Sequence, residues 1–232
     1  MTYLRWMTFA FLLIVSLMTL AFASVPEGDA AVDTGDYVTA ISAYEAAYAA
    51  DANDVEALYK LARAKVYQAG TLEGDEAEAL YEEAVNLARE AVTLAPDDAE
   101  THFEVARAVG RLAQFRGVLD AINLAAEVKD ALERTIELNP EHGGAYHALA
   151  LWNLEVPWIA GGRTGEVKPL FDQALAVEPD VITHYVDYGE ALIRLDEPEA
   201  ARGMLEQALT LTPSTVREEA DFAKGQELLA GL

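Results

Sequence analysis

The chain reads as an all-α fold: a right-handed solenoid of about five helix pairs closed by a C-terminal capping helix. Three observations predict it. Four segments end alike, YEEAVNLAREAVTLAPDD (81–98), ALERTIELNPEH (131–142), LFDQALAVEPD (170–180) and MLEQALTLTPS (204–214). Each places a small or short residue five positions before a proline, at Ala91, Thr135, Ala174 and Ala208. Self-similarity of this kind marks stacked helical units, because a proline cannot continue a helix and small residues let helices cross closely. The composition is 52% hydrophobic with no cysteine, so the core must form without disulfides, and thiolate metal sites and cysteine nucleophiles are excluded.

Residues 1–23 stand apart from the repeats. Arg5 precedes WMTFAFLLIVSLMTLAF (6–22), and Ala21 and Ala23 frame a signal-peptidase site, so the sequence predicts an export signal cleaved before Ser24. An uncleaved membrane anchor is the alternative, and lipid attachment is excluded without a cysteine. Export implies a periplasmic or cell-envelope protein. From Ser24 onward 15 basic residues face 40 acidic ones, a net charge of −25. Such a surface repels nucleic acid and anionic lipid, leaving membrane contact only to the N-terminal segment if it is retained.

The helix pairs follow in order from Ser24. The first shows Gly35, Tyr37, Ala40, Tyr44 and Ala47, with Ala52 where later copies have proline. Successive end points then lie 44, 44, 39 and 34 residues apart, at Pro96, Pro140, Pro179 and Pro213. The excess over 34 needs homes. In the second pair it falls around AGTLEGDEAEAL (69–80), as a lengthened turn and a longer second helix. In the third it lengthens both helices, with a break near Gly117. In the fourth it falls in the loop within EVPWIAGGRTG (155–165). The final segment, EEADFAKGQELLAGL (218–232), supplies the capping helix that a solenoid end requires.

Tyr185, Tyr188, Gly189, Ala200, Leu205, Ala208 and Pro213 occupy the signature places of a tetratricopeptide (TPR) unit over Ile182–Ser214. The chain therefore resembles TPR proteins. Within them, THFEVARAVGRLAQFRG, the helical insert after it, ALERTIELNPEHGGAYHALALWNLEV and AARGMLEQALTLTP are similar to exported bacterial relatives of the regulator of microtubule dynamics family. That family's Leu-x-x-Trp-x-x-x-Val run is matched by Leu149, Trp152 and Val156. The T-component of tripartite (TRAP) transporters is also similar, but its members are typically lipoproteins and this chain lacks the cysteine. Neither resemblance implies a catalytic residue or a cofactor.

The residues themselves point the same way. GGRTG is not a phosphate loop, since its glycines are compressed, no Gly-Lys-Ser/Thr follows and the preceding segment is helical. His102, His142, His147 and His184 include no pair at i,i+4 spacing and read as solvated or capping residues. No nucleophile with a base is evident. The reading is a non-catalytic scaffold that binds a protein or peptide; an accessory part of a solute transport system, binding a small ligand or a solute-binding protein, is the alternative. Aligning the units puts Tyr59, Lys60, Arg63, Tyr67, Phe103, Arg107, Arg111, His147 and Arg194 on the concave face. Leu151, Glu155 and Glu190 accompany them. The arginines there either grip an acidic partner or pair with neighbouring carboxylates. Trp152 and Trp158 are expected to pack, with Trp158 and Arg163 at the loop tip as a second place of contact.

Overall fold

The computed structural model describes residues 24–232; the expected export signal lies outside them. Among the described residues eleven α-helices form five pairs and a cap. The pairs are α1 (Val25–Asp33) with α2 (Tyr37–Ala50), α3 (Val55–Ala69) with α4 (Gly74–Leu94), and α5 (Ala99–Arg116) with α6 (Val118–Leu138). Then come α7 (Gly143–Glu155) with α8 (Val167–Val177) and α9 (Ile182–Arg194) with α10 (Pro198–Ala208). Helix α11 (Val216–Ala230) covers α9 and α10.

Local chemistry sets these boundaries. Helix α2 starts where the Asp36 carboxylate accepts the Thr39 N–H, and Asp54, Asp98 and Thr215 do the same for α3, α5 and α11. At α7 the cap is a histidine, His142, whose Nδ1 accepts the Ala145 N–H at 3.0 Å. Helices α4, α6 and α8 stop two residues before Pro96, Pro140 and Pro179. Helix α10 stops earlier, at Ala208. Its chain tightens into a turn in which the Thr210 and Leu211 N–H groups donate to Gln207 and Ala208, seating Leu211 against Ile182 and Val186.

The pairs pack through small side chains. Ala84, Ala88, Ala91, Ala174, Ala201 and Ala208 are fully buried, as is Thr135 at the equivalent place in α6. A methyl group at Gly189 would lie 2.7 Å from Leu205, so α9 and α10 approach too closely for any side chain there. Aromatic rings fill the wider gaps: Phe171 is wholly buried and stacks on Tyr188 with centroids 4.8 Å apart.

The extra residues mostly go where the spacing predicts. In the third pair α5 and α6 run 18 and 21 residues, separated by Gly117 alone. In the second pair the turn stays short, between Gly70 and Glu73, because Gly74 already begins α4; the whole excess lengthens that helix to 21 residues. In the fourth pair it forms the loop after Glu155, with 3-10 turns at Trp158–Ala160 and Thr164–Glu166. Gly162 is held there by a backbone crossing, since a methyl on it would fall 1.8 Å from the Val156 carbonyl oxygen. The loop is a packed turn.

Replacing Ala208 by leucine forces a branched side chain into the α9–α10–α11 junction. It should lower stability by about 1–3 kcal/mol, read as a lower denaturant midpoint at unchanged slope.

Candidate functional site

The first helices of successive pairs lie side by side and form the inner, concave surface. Its charges are organised around one buried carboxylate, Glu104 on α5, whose side chain is 1% exposed. Arg63 on α3 donates to it through Nε at 2.8 Å, and Arg107, one turn along α5, donates through Nε at 3.1 Å. Arg63 also reaches Glu100 at 2.9 Å, and the His142 ring lies 3.2 Å from the other oxygen of Glu100. The His142 contact and Arg63 hold the Glu100 carboxyl down at about 2 against the burial that opposes them. Because His142 Nδ1 accepts the cap bond, its Nε2 carries the ring hydrogen, which lies near Glu100 without a hydrogen bond to it or to any other group among the described residues.

Tyr67, at the end of α3, is the aromatic centre of the same surface. Tyr37 lies against it with centroids 5.5 Å apart, and Arg107 approaches its ring at 5.8 Å. From across the groove, Arg217 in the first turn of α11 sits 4.2 Å above its face. Nearby, a methyl at Gly35 would touch Val216 at 3.7 Å. The last helix therefore reaches back to the first two pairs.

Most of the residues expected on this face are there, with different roles. Lys60 is engaged by Asp29 and Glu56, and Arg63 and Arg107 by Glu104; Arg194 pairs with Glu155. Arg111 is exposed, and its hydrogen bond goes to the neutral Gln114. Tyr59 is half-buried with Arg63 near its ring, and Leu151 packs between the fourth and fifth pairs. Phe103 and His147, expected to face a partner, are turned into the seams between pairs. Phe103 lies under Arg107 and against His142, and His147 against Phe171 and His184. The expectation of solvated or capping histidines fits His102, at the surface, and His142; it fails for His147 and His184, which are buried.

Trp152 packs as expected, its ring N–H donating to the Ala125 carbonyl at 2.9 Å. Trp158 does not. Helix α7 has ended and Pro157 turns the chain outward, leaving Trp158 84% exposed beside exposed Ile159. Arg163 is exposed too, its backbone N–H donating to Asn153.

Three participants escaped the sequence reading: Glu100, Glu104 and Arg217. Glu104 had a signal, since it is a charged residue on the buried stripe of Thr101, Val105, Ala108 and Leu112. Arg217 had none, because its contact depends on how far the solenoid turns. Among the described residues no three His, Asp or Glu side chains are arranged to hold a metal ion.

Changing Glu104 to glutamine leaves two guanidinium groups facing one neutral amide in a poorly hydrated site. The loss should reach about 3 kcal/mol, measured by chemical unfolding, whereas Glu206→Gln, on the exposed side of α10, should stay within about 0.5 kcal/mol.

The comparisons agree with this architecture. The crystal structure of TTC0263, a thermophilic TPR protein of Thermus thermophilus, superposes with a TM-score of 0.70 at 19% identity, over 86% of this chain and 95% of that one. The structure of MamA from residue 41 onward, from Desulfovibrio magneticus RS-1, gives 0.51 at 16% identity, over 79% and 90%. These likenesses are of fold: the chain has the fold of a TPR protein. No curated protein sequence matches it. The family model described as regulator of microtubule dynamics protein 1-3 matches residues 25–159, starting earlier than the quoted motifs and leaving α8, the fifth pair and α11 outside. That match spans more than half of the 232 residues, and the chain belongs to the regulator of microtubule dynamics family.

Proposed function

We propose that this protein is a non-catalytic scaffold of the cell envelope, exported by its N-terminal segment, that holds a protein or peptide partner in the concave groove. One observation carries the reading. Of the 15 cations from Ser24 onward, eleven have a carboxylate partner among the described residues, whereas Arg111 and Arg217 face the groove region without one. In a chain with 40 acidic residues, two guanidinium groups left without a carboxylate beside Tyr67 and Arg107 are available to a partner's carboxylate. The aromatic faces of Tyr37 and Tyr67 supply apolar area at low entropic cost. A peptide laid along the groove meets cations at Arg111 and Arg217 and rings between them. The chemistry favours an acidic segment with apolar residues.

The test is affinity capture of partners from the envelope fraction of the source cells. The wild-type protein is compared with Arg111→Glu/Arg217→Glu, whose folding is checked by circular dichroism. Neither change removes an ion pair, and only the Arg217 contact with the Tyr67 ring is given up, so each helix pair should stay folded while capture falls at least about tenfold, the order expected for reversing two guanidinium contacts. Undiminished capture of the same partners by the variant would remove the groove from the proposal.

A further inference from the structure

Two buried histidines meet in the seam between the fourth and fifth pairs. His147 on α7 and His184 on α9 place their Nδ1 atoms 2.6 Å apart. On the far side of each ring is a carboxylate: His147 Nε2 lies 3.1 Å from Asp187, and His184 Nε2 lies 2.9 Å from Glu178. The Phe171 ring closes over His147, and the two residues are 8% and 3% exposed. Both carboxylates are further supported. Asp187 accepts from Lys224 of α11 at 2.8 Å, and Glu178 accepts the Gly143 N–H at 3.0 Å. Burial would raise the Asp187 carboxyl, but His147 and Lys224 outweigh it and hold it at about 2. The His184 hydrogen bond lowers Glu178 against its burial.

Counting hydrogens gives the state of the pair. An ionised carboxylate only accepts, so each Nε2 must carry a hydrogen. Two neutral imidazoles have one N–H each, and both are then spent on Asp187 and Glu178. Two bare lone pairs would remain, pointing at each other across 2.6 Å. One more proton turns this contact into an N–H···N bond. The arrangement thus calls for three N–H hydrogens on two rings, which is one imidazolium. Its charge and that of Lys224 balance Asp187 and Glu178, leaving the buried group neutral as a whole. Glu190, on the solvent side, also binds Lys224.

A fourth proton breaks the arrangement. Both Nδ1 atoms would then carry hydrogen at a contact that has room for one, and the rings must part. We propose that His147 and His184 form a proton-operated latch between the fourth and fifth helix pairs, closed on one shared proton near neutral pH and opened by a second proton in mildly acid surroundings. Burial, with His147 adding to it and Glu178 opposing, lowers His184 from the ordinary 6.5. The closed state therefore resists a proton that the open state accepts. Its stability is present above the ordinary histidine value and is lost as pH falls below it. The other ionisable groups facing the seam are Glu178, Asp187, Glu190 and Lys224, with His142 at the start of α7 and Glu100 of α5 beside it. The lowered carboxyls of Glu178, Asp187 and Glu100 titrate in a more acid range, so the latch opens first.

Nitrogen-15 spectra of the histidine rings in the intact protein test the proton count directly. At about pH 7.5 the pair should show three N–H hydrogens and a scalar coupling between the two Nδ1 nuclei across the hydrogen bond. One N–H on each ring and no such coupling would overturn the proposal. Hydrogen exchange tests the opening. Between about pH 6.5 and pH 5.5, after correction for intrinsic rates, opening of the α7 and α9 amides should rise by up to about tenfold per pH unit, while α3 and α4 stay unchanged. His184→Gln, whose amide can still donate to Glu178, should lose that dependence. Equal dependence in wild type and variant, or none in wild type, would equally overturn it. The spectra need no variant, so they decide the matter even if His184→Gln folds poorly.

Discussion

The close approach of alanine-lined helices is the constraint from which the other features follow. Small residues at the crossings, alanines with Thr135 and Gly189, let paired helices approach toward the lower end of the usual interaxial range of about 8–10 Å. At that separation a side chain on one first helix meets its counterpart on the next. Arg63 meets Glu104 and Glu100, Glu155 meets Arg194, and His147 meets His184. The polar links of the inner surface are therefore a by-product of apolar packing behind them. A larger residue at Ala88 or Ala174 would push apart the helices that carry the nearest of these links.

Charge is handled differently in the two layers. On the outside, ion pairs such as Arg89–Glu127 and Lys168–Glu197 are solvated and contribute little each. On the inside, Glu104 and Asp187 are shielded, so each needs its cations in place, and removal of one partner leaves an uncompensated charge. The inner carboxylates are each matched by a cation or a histidine. This explains how a chain so negative still builds its concave face around arginines.

Much of the fold could be read from the residues. The small residue five places before each proline gave the second helices, and the excess over a 34-residue period gave the long third pair and the loop after Glu155. The loop's glycines suggested a turn, and Gly162 packed under Val156 is one. The site was less legible, for a physical reason. Aligning units tells which side chains share a face, but not whether each points into the groove or into the seam beside it. Phe103 and His147 went to the seams because the neighbouring first helix is close enough to cover them. Trp158 went the other way because α7 ends before it. Arg217 was out of reach of any such alignment, since its contact depends on the accumulated rotation of five pairs.

That contact alters what kind of array this is. Helical repeats usually touch only their neighbours, so their folding can begin anywhere and spread along the row. Here Arg217 sits over Tyr67 and Val216 lies near Gly35, residues far earlier in the chain. Closing so large a loop carries an entropic cost that is recovered only after the intervening pairs have formed. Helix α11 therefore has its full set of contacts only when the intervening pairs are in place. A row that would otherwise fray independently at its two ends has them joined, and loosening either one is felt at the other.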